Sequence, residues 1–297
     1  MNLKGILKDK SDSLKLFYFM LIVIISSFIG ILISSTIAPT DTDTLLKENI
    51  FRLKISQLIA SLFIFIIPSI VLSYFIFNES INIFGFKRGL KRQNLLIILF
   101  IMVFIQPFVI FCVQINTSIL ESISEYIPTI YKQMKIMEDR ATELTEIFLK
   151  MNSIGDLFFN IFLIALVPAM GEELFFRGII QQKLESILTP HLSVFIASFI
   201  FSAIHFQFFG FLPRFILGMI LGYLFLYSRN LWASIFAHFI NNAMGVLLMY
   251  PSFRDNLSFD ITEIPKSVVS PLQASFSILV VFFFIYLYKK INISKII

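Results

Sequence analysis

Read for hydrophobic and polar positions alone, the chain alternates long apolar runs with short polar connections. Eight runs reach or approach the ~20 residues that cross a ~30 Å hydrocarbon core: 16–38, 55–77, 94–116, 154–171 with a continuation, 192–209, 213–228, 231–250 and 269–288. The pattern predicts an all-α polytopic membrane protein, a bundle of about eight transmembrane helices around an intramembrane polar site. The fourth run is irregular. Its apolar part stops at Gly171, yet helical spacing continues through Glu172–Arg177 to about Leu184. Pro68 and Pro107 fall inside runs and are expected to kink them, while Pro168, four residues before Glu172, either kinks its helix and widens a water path to the site or simply packs. The longest connection, 117–153, has apolar Ala141, Leu144, Ile147, Phe148 and Met151 at helical spacing, which predicts an amphipathic helix over 137–151 on the outer surface.

Charge between the runs sets the orientation. Lysines at 4, 8, 10 and 15 precede the first run, which is longer than a signal-peptide core, and Pro39 follows its small-residue candidate site. An uncleaved first span is expected. The loop 78–93 carries Lys87, Arg88, Lys91 and Arg92 against Glu79, and the tail carries Lys289, Lys290 and Lys295. In 117–153 the acids outnumber the bases. Eight spans with both termini cytoplasmic satisfy these biases together. The short loops and minimal tails fit a prokaryotic plasma membrane.

Composition agrees with this class. The chain has 297 residues, is 57% hydrophobic and only 14% charged, and its mean hydropathy is +0.86, which excludes an ordinary soluble domain. Its net charge of +5 sits at the ends of apolar runs, with no basic stripe or nucleic-acid motif, so no nucleic-acid partner is expected. One cysteine, Cys112, allows neither an internal disulfide nor a cysteine-based metal site.

Against this background the polar residues inside the runs stand out, because a central charge costs about 2.5–3.5 kcal/mol on insertion scales. Glu173 and Arg177 are four apart, acid first, the favourable order for a helical ion pair. Glu172 is rotated about 100° from Glu173 and is left for chemistry. The next run places Phe201 and His205 four apart, and a later one places His238 and Asn242 four apart. Counted at 1.5 Å per residue from the expected cytoplasmic ends, Glu172 lies ~20 Å deep, His205 ~21 Å, Asn242 ~18 Å and His238 ~12 Å. A glutamate with a histidine can position and deprotonate water, and a histidine with an asparagine can donate to an oxyanion, so the set suits amide hydrolysis. No serine or cysteine with an evident base supports a covalent nucleophile. Glu172, His205 and His238 would also make an acceptable zinc set, although H-E-x-x-H is absent. Arg214, after Pro213 at the start of a run, is expected to snorkel to the interface. A proton- or ion-coupled transporter, and a non-catalytic immunity or regulatory membrane protein, remain alternatives on these residues.

The motifs EELFFR (Glu172, Glu173, Arg177), FSAIH (Phe201, His205) and HFINN (His238, Asn242) together resemble the E-E-x-x-x-R, F-x-x-x-H and H-x-x-x-N pattern of the CPBP family. That family comprises CAAX proteases of the Ras-converting-enzyme type and bacteriocin-processing or immunity proteins. The resemblance covers about 155–250. It implies an intramembrane endopeptidase acting on membrane-associated peptides or proteins in the lipid bilayer, such as prenylated CAAX tails or bacteriocin-like peptides. Glu172 and His205 would activate water, His238 and Asn242 would form the oxyanion site, and Glu173, Arg177 and Phe201 would support them. No metal is required in that reading, though zinc is compatible with it. The expected organisation is 1–153, three spans with a long outer loop; 154–250, a CPBP-like catalytic core; and 251–297, an outer loop and the last span.

Overall fold

The computed structural model describes residues 4–38, 47–76, 85–86, 89–254 and 269–293. The charges expected to orient the bundle at Glu79, Lys87, Arg88 and Lys295 lie outside these residues. The described chain is helical, with no strand among the described residues. Seven helices are long and apolar enough to cross a membrane, and the protein is an integral, multi-pass membrane protein. They are α1 (Asp12–Ile37), α2 (Asn49–Ile76), α3 (Arg92–Ser124), α5 (Ile154–Glu185), α7 (Phe211–Ser228), α8 (Leu231–Leu248) and α9 (Pro271–Asn292). Between them lie α4 (Pro128–Leu149) and a shorter apolar helix, α6 (Pro190–Ala203).

The run 192–209 was expected to be one span, but α6 stops at Ala203 after 14 residues. That is about 21 Å of helix, short of the ~30 Å core. The chain turns there. Phe206 adopts the left-handed conformation (φ 52°), the Ser202 hydroxyl donates to the Phe211 carbonyl at 2.6 Å, and α7 begins at once. From α3, Asn116 pins this turn, donating to the Phe208 carbonyl (2.8 Å) and accepting from the Leu212 N–H (3.2 Å). Asp12 at the start of α1 pairs with Lys183 (2.9 Å), and Glu185 pairs with Arg229 beside Tyr227. Lys289 near the end of α9 lies over the Tyr227 ring. These contacts place the start of α1 and the end of α9 at the same end of the described bundle.

The helical ladder is irregular at each of these prolines. Pro68 and Pro168 each follow a π-helical turn, at Leu62–Ile66 and Ile161–Leu166, and Pro107 lies just beyond a break at Ile105. A proline has no N–H to donate four residues back, so the ladder locally widens or stops. α4 is longer at its N-terminal end than its apolar stripe implied, because Pro128 starts it at a first-turn position where the missing N–H is harmless. It buries no residue and lies on the surface, where Asn160 of α5 donates to the Phe148 carbonyl (2.9 Å).

Packing forms two large apolar cores and a small third one around Met151, Leu157 and Val246. One large core joins α1, α2, α5 and α6 around Phe19, Leu72, Phe176 and Phe201. The other joins α3, α7, α8 and α9 around Ile98, Met102, Leu221 and Tyr288. α6 and α7 approach closely because Gly218 and Gly222, one turn apart, face Ser198 and Val194. A Cβ on Gly222 would lie 2.8 Å from a Val194 methyl.

Candidate active site

The close α6–α7 approach brings two backbone carbonyls within reach of α5. Arg177 Nη2 donates to the Gly218 carbonyl at 2.8 Å, and Gln181, one turn on, donates to the Gly222 carbonyl at 3.2 Å. Arg177 Nη1 meets Glu173 Oε1 at 2.9 Å, as the i,i+4 spacing predicts. Its guanidinium carbon also stands 4.8 Å from the Phe201 ring centroid. Glu173 and Arg177 are 0% and 1% exposed, so this is a fully desolvated pair. Such a pair holds only while its geometry and its other hydrogen bonds are good.

Glu173 also has a partner that the sequence reading did not foresee. His238 of α8 places Nδ1 2.9 Å from Glu173 Oε1. A carboxylate accepts, so Nδ1 carries the proton and the Nε2 edge is turned toward Glu172. His205, at the end of α6, has Nδ1 2.7 Å from the Phe201 carbonyl. A carbonyl only accepts, so in the neutral ring Nε2 is the bare nitrogen. Both Nε2 atoms converge on one oxygen. Glu172 Oε2 lies 3.9 Å from His205 Nε2 and 4.0 Å from His238 Nε2. These gaps exceed a hydrogen bond. A water ~2.8 Å from both Glu172 Oε2 and His205 Nε2 would see them about 90° apart, an easy angle for its two protons.

Phe201 is the wedge that spaces these groups, with its ring edge-on to His205 (5.1 Å), His238 (5.9 Å) and Phe176 (5.2 Å). Asn242 sits one turn beyond His238. Its amide donates at 3.5 Å to the carbonyl of Ile164, the group that Pro168 leaves without its α-helical donor. The proline thus presents a carbonyl that orients Asn242, a more specific role than kinking. Every residue singled out by the three motifs is therefore brought into one neighbourhood.

Glu172, His205, His238 and Asn242 line a cavity of about 130 Å³, together with Asn241 and Arg214. Asn241 was missed by the sequence reading, although its place three residues after His238 puts it on nearly the same face. Arg214 was expected at the interface and is instead turned inward. Its Nη2 donates to the Gln207 carbonyl at 3.2 Å and packs against Gly210, where a Cβ would lie 2.1 Å away. Proline at 213 and the tight turn aim the side chain back along the helix rather than out to lipid.

Residues 154–244 match the model of a family described as type II CAAX prenyl endopeptidase Rce1-like. The matched region is similar to an Rce1-like domain. This region begins at the first residue of α5, ends within α8, and so contains every residue of the three motifs. Comparison with curated proteins and with solved structures gives no match. As they are placed, no three or more His, Cys, Asp and Glu among the described residues form a group that could hold a metal ion. The Glu172, His205 and His238 side chains nevertheless converge, with Glu172 Oε2 3.9 and 4.0 Å from the two Nε2 atoms.

Proposed function

We propose that the protein is a CAAX-type intramembrane endopeptidase that hydrolyses peptide bonds of membrane-associated substrates with water activated by Glu172 and His205. The observation that carries this reading is the convergence of Glu172 Oε2 with the Nε2 atoms of two histidines on one buried cavity. The Rce1-like match supports the reaction class, and prenylated CAAX tails or bacteriocin-like peptides fit it as substrates.

Water held by Glu172 and His205 attacks the scissile carbonyl carbon while Glu172 takes its proton. The carbonyl oxygen becomes an oxyanion, toward which Asn242 and the protonated Nε2 of His238 donate. Glu173 orients His238 by accepting from Nδ1, and Arg177 holds Glu173 in place. When the C–N bond breaks, Glu172 returns its proton to the leaving amine. General acid–base transfer of this kind contributes typically ~10²–10⁴-fold, and an oxyanion donor about 10²–10³-fold.

The test compares membrane-proteome peptides in cells carrying the wild type and Glu172→Ala, with purified protein in nanodiscs assayed alongside. The proposal expects wild-type-dependent cleavage products that vanish with Glu172→Ala while the protein remains folded. Purified protein that moves ions across liposomes and cleaves no peptide would overturn it.

A further inference from the structure

Arg214 is the one charged group of the cavity that the mechanism leaves unused. Its Nη2 is anchored to the Gln207 carbonyl, but its Nη1 is buried and has no hydrogen-bond partner. No ion pair to it forms among the described residues, although Glu172 and, from α4, Glu138 act on its charge. Leaving a buried donor without a partner is unfavourable, and more so for a charged group. Arg177 shows the contrast, since both of its terminal nitrogens have acceptors. The place of Arg214 is also built. Gly210 leaves the space its guanidinium fills, and Asn116 fixes the turn that carries both. Counted from the end of α7 at Ser228, Arg214 is ~21 Å deep, level with Glu172 and His205.

We infer that Arg214 binds the free C-terminal carboxylate of the peptide substrate, on the leaving-group side of the scissile bond. The inference rests on the peptidase reading for what happens next to that carboxylate. A guanidinium is the side chain best matched to a carboxylate, through two parallel charge-assisted bonds. A peptide that carries its terminus into a cavity of low dielectric needs such a partner, whereas a bond cleaved far from any terminus brings no charge. The cavity is only about 130 Å³, and an extended chain covers ~3.3–3.6 Å per residue. The carboxylate therefore follows the scissile bond closely. Arg214 is thus a specificity-determining residue that selects chains ending just beyond the cleaved bond.

The test uses full-length protein in nanodiscs and one internally quenched peptide with an S-farnesyl cysteine three residues before its end, made as the free acid and as the amide. Binding is read on Glu172→Gln and cleavage on the active enzyme. The expected result is a preference for the acid of about 10–100-fold, matching 1.5–3 kcal/mol for hydrogen bonds to a charged group. Arg214→Gln is expected to bring the acid-to-amide ratio to about one, and Arg214→Lys to retain part of it. Acid-selective binding without cleavage would keep the carboxylate site and remove the peptidase reading. Equal cleavage of acid and amide by the wild type would do the reverse. Arg214→Gln lowering both peptides alike would assign Arg214 to the oxyanion, and the same loss in Glu138→Gln would assign it to fastening α4; each overturns the inference, as does a peptide neither bound nor cleaved.

Discussion

In the most apolar stretches of α5, α7 and α8, 39%, 39% and 44% of residues are buried, against 17% in α1 and 22% in α9. The rim helices are the more hydrophobic or comparable by sequence, with mean hydropathies of 2.8 and 1.8 against 1.9, 1.8 and 1.4. Hydropathy thus does not rank burial in this protein. Lipid is as apolar as leucine, so a rim helix gains nothing by turning inward, whereas a helix carrying glutamate, arginine or histidine must find partners inside. The more buried helices are the ones whose polar side chains line the cavity. Within them a finer contrast separates Glu173, fully enclosed and doubly bonded, from Glu172, which is 12% exposed and faces the cavity.

The contrast between the two glutamates is broken most strongly by Glu172→Ala or His205→Ala. Either is expected to lower single-turnover peptide cleavage in nanodiscs by ~10⁴-fold, the upper range for acid–base groups, with normal thermal unfolding. Arg177→Leu should instead strike stability. It leaves Glu173 buried without its cation, at a cost of about 3–5 kcal/mol, read as a large fall in thermal midpoint. Adding Glu173→Leu should recover part of that stability and no activity, because His238 then lacks its Nδ1 acceptor. Asn242→Ala should reduce kcat by about 10²–10³-fold, as for other oxyanion donors, with little change in folding. On the rim, Phe282→Ala in α9, at a position 60% exposed, should stay within about 0.5 kcal/mol and leave cleavage intact. Metal analysis of active protein, with a chelator control, is expected to show full activity without stoichiometric zinc; a chelator-sensitive enzyme would reassign Glu172, His205 and His238 as ligands.

Much of this was legible in the chain. Apolar runs of spanning length located the membrane helices, and acid-first spacing at Glu173 and Arg177 foretold their pair. Equal depth drew Glu172, His205 and Asn242 into one layer before any packing was known. What failed did so for reasons of tertiary contact. The length of α6 was misjudged because its end is set by the turn that Asn116 holds from α3. Arg214 was misread because snorkelling and inward burial look alike in sequence, and only the space at Gly210 decides between them. Asn241 was passed over because a neighbour of a motif residue carries no signal until the helix rotation is fixed.

The sequence by itself determined the class, the helices and the pairing of Glu173 with Arg177. These depend on local quantities, namely the transfer cost of each side chain and the 3.6-residue period. Which carboxylate meets which histidine was decided by the tertiary structure. Both glutamates precede the same helical turn, and their roles diverge only where α6, α7 and α8 close around α5. There His238 meets Glu173 through one nitrogen and faces Glu172 through the other. Rotation and depth are set by packing between helices distant in the chain, at Gly218, Gly222 and Phe201, and no local rule contains them.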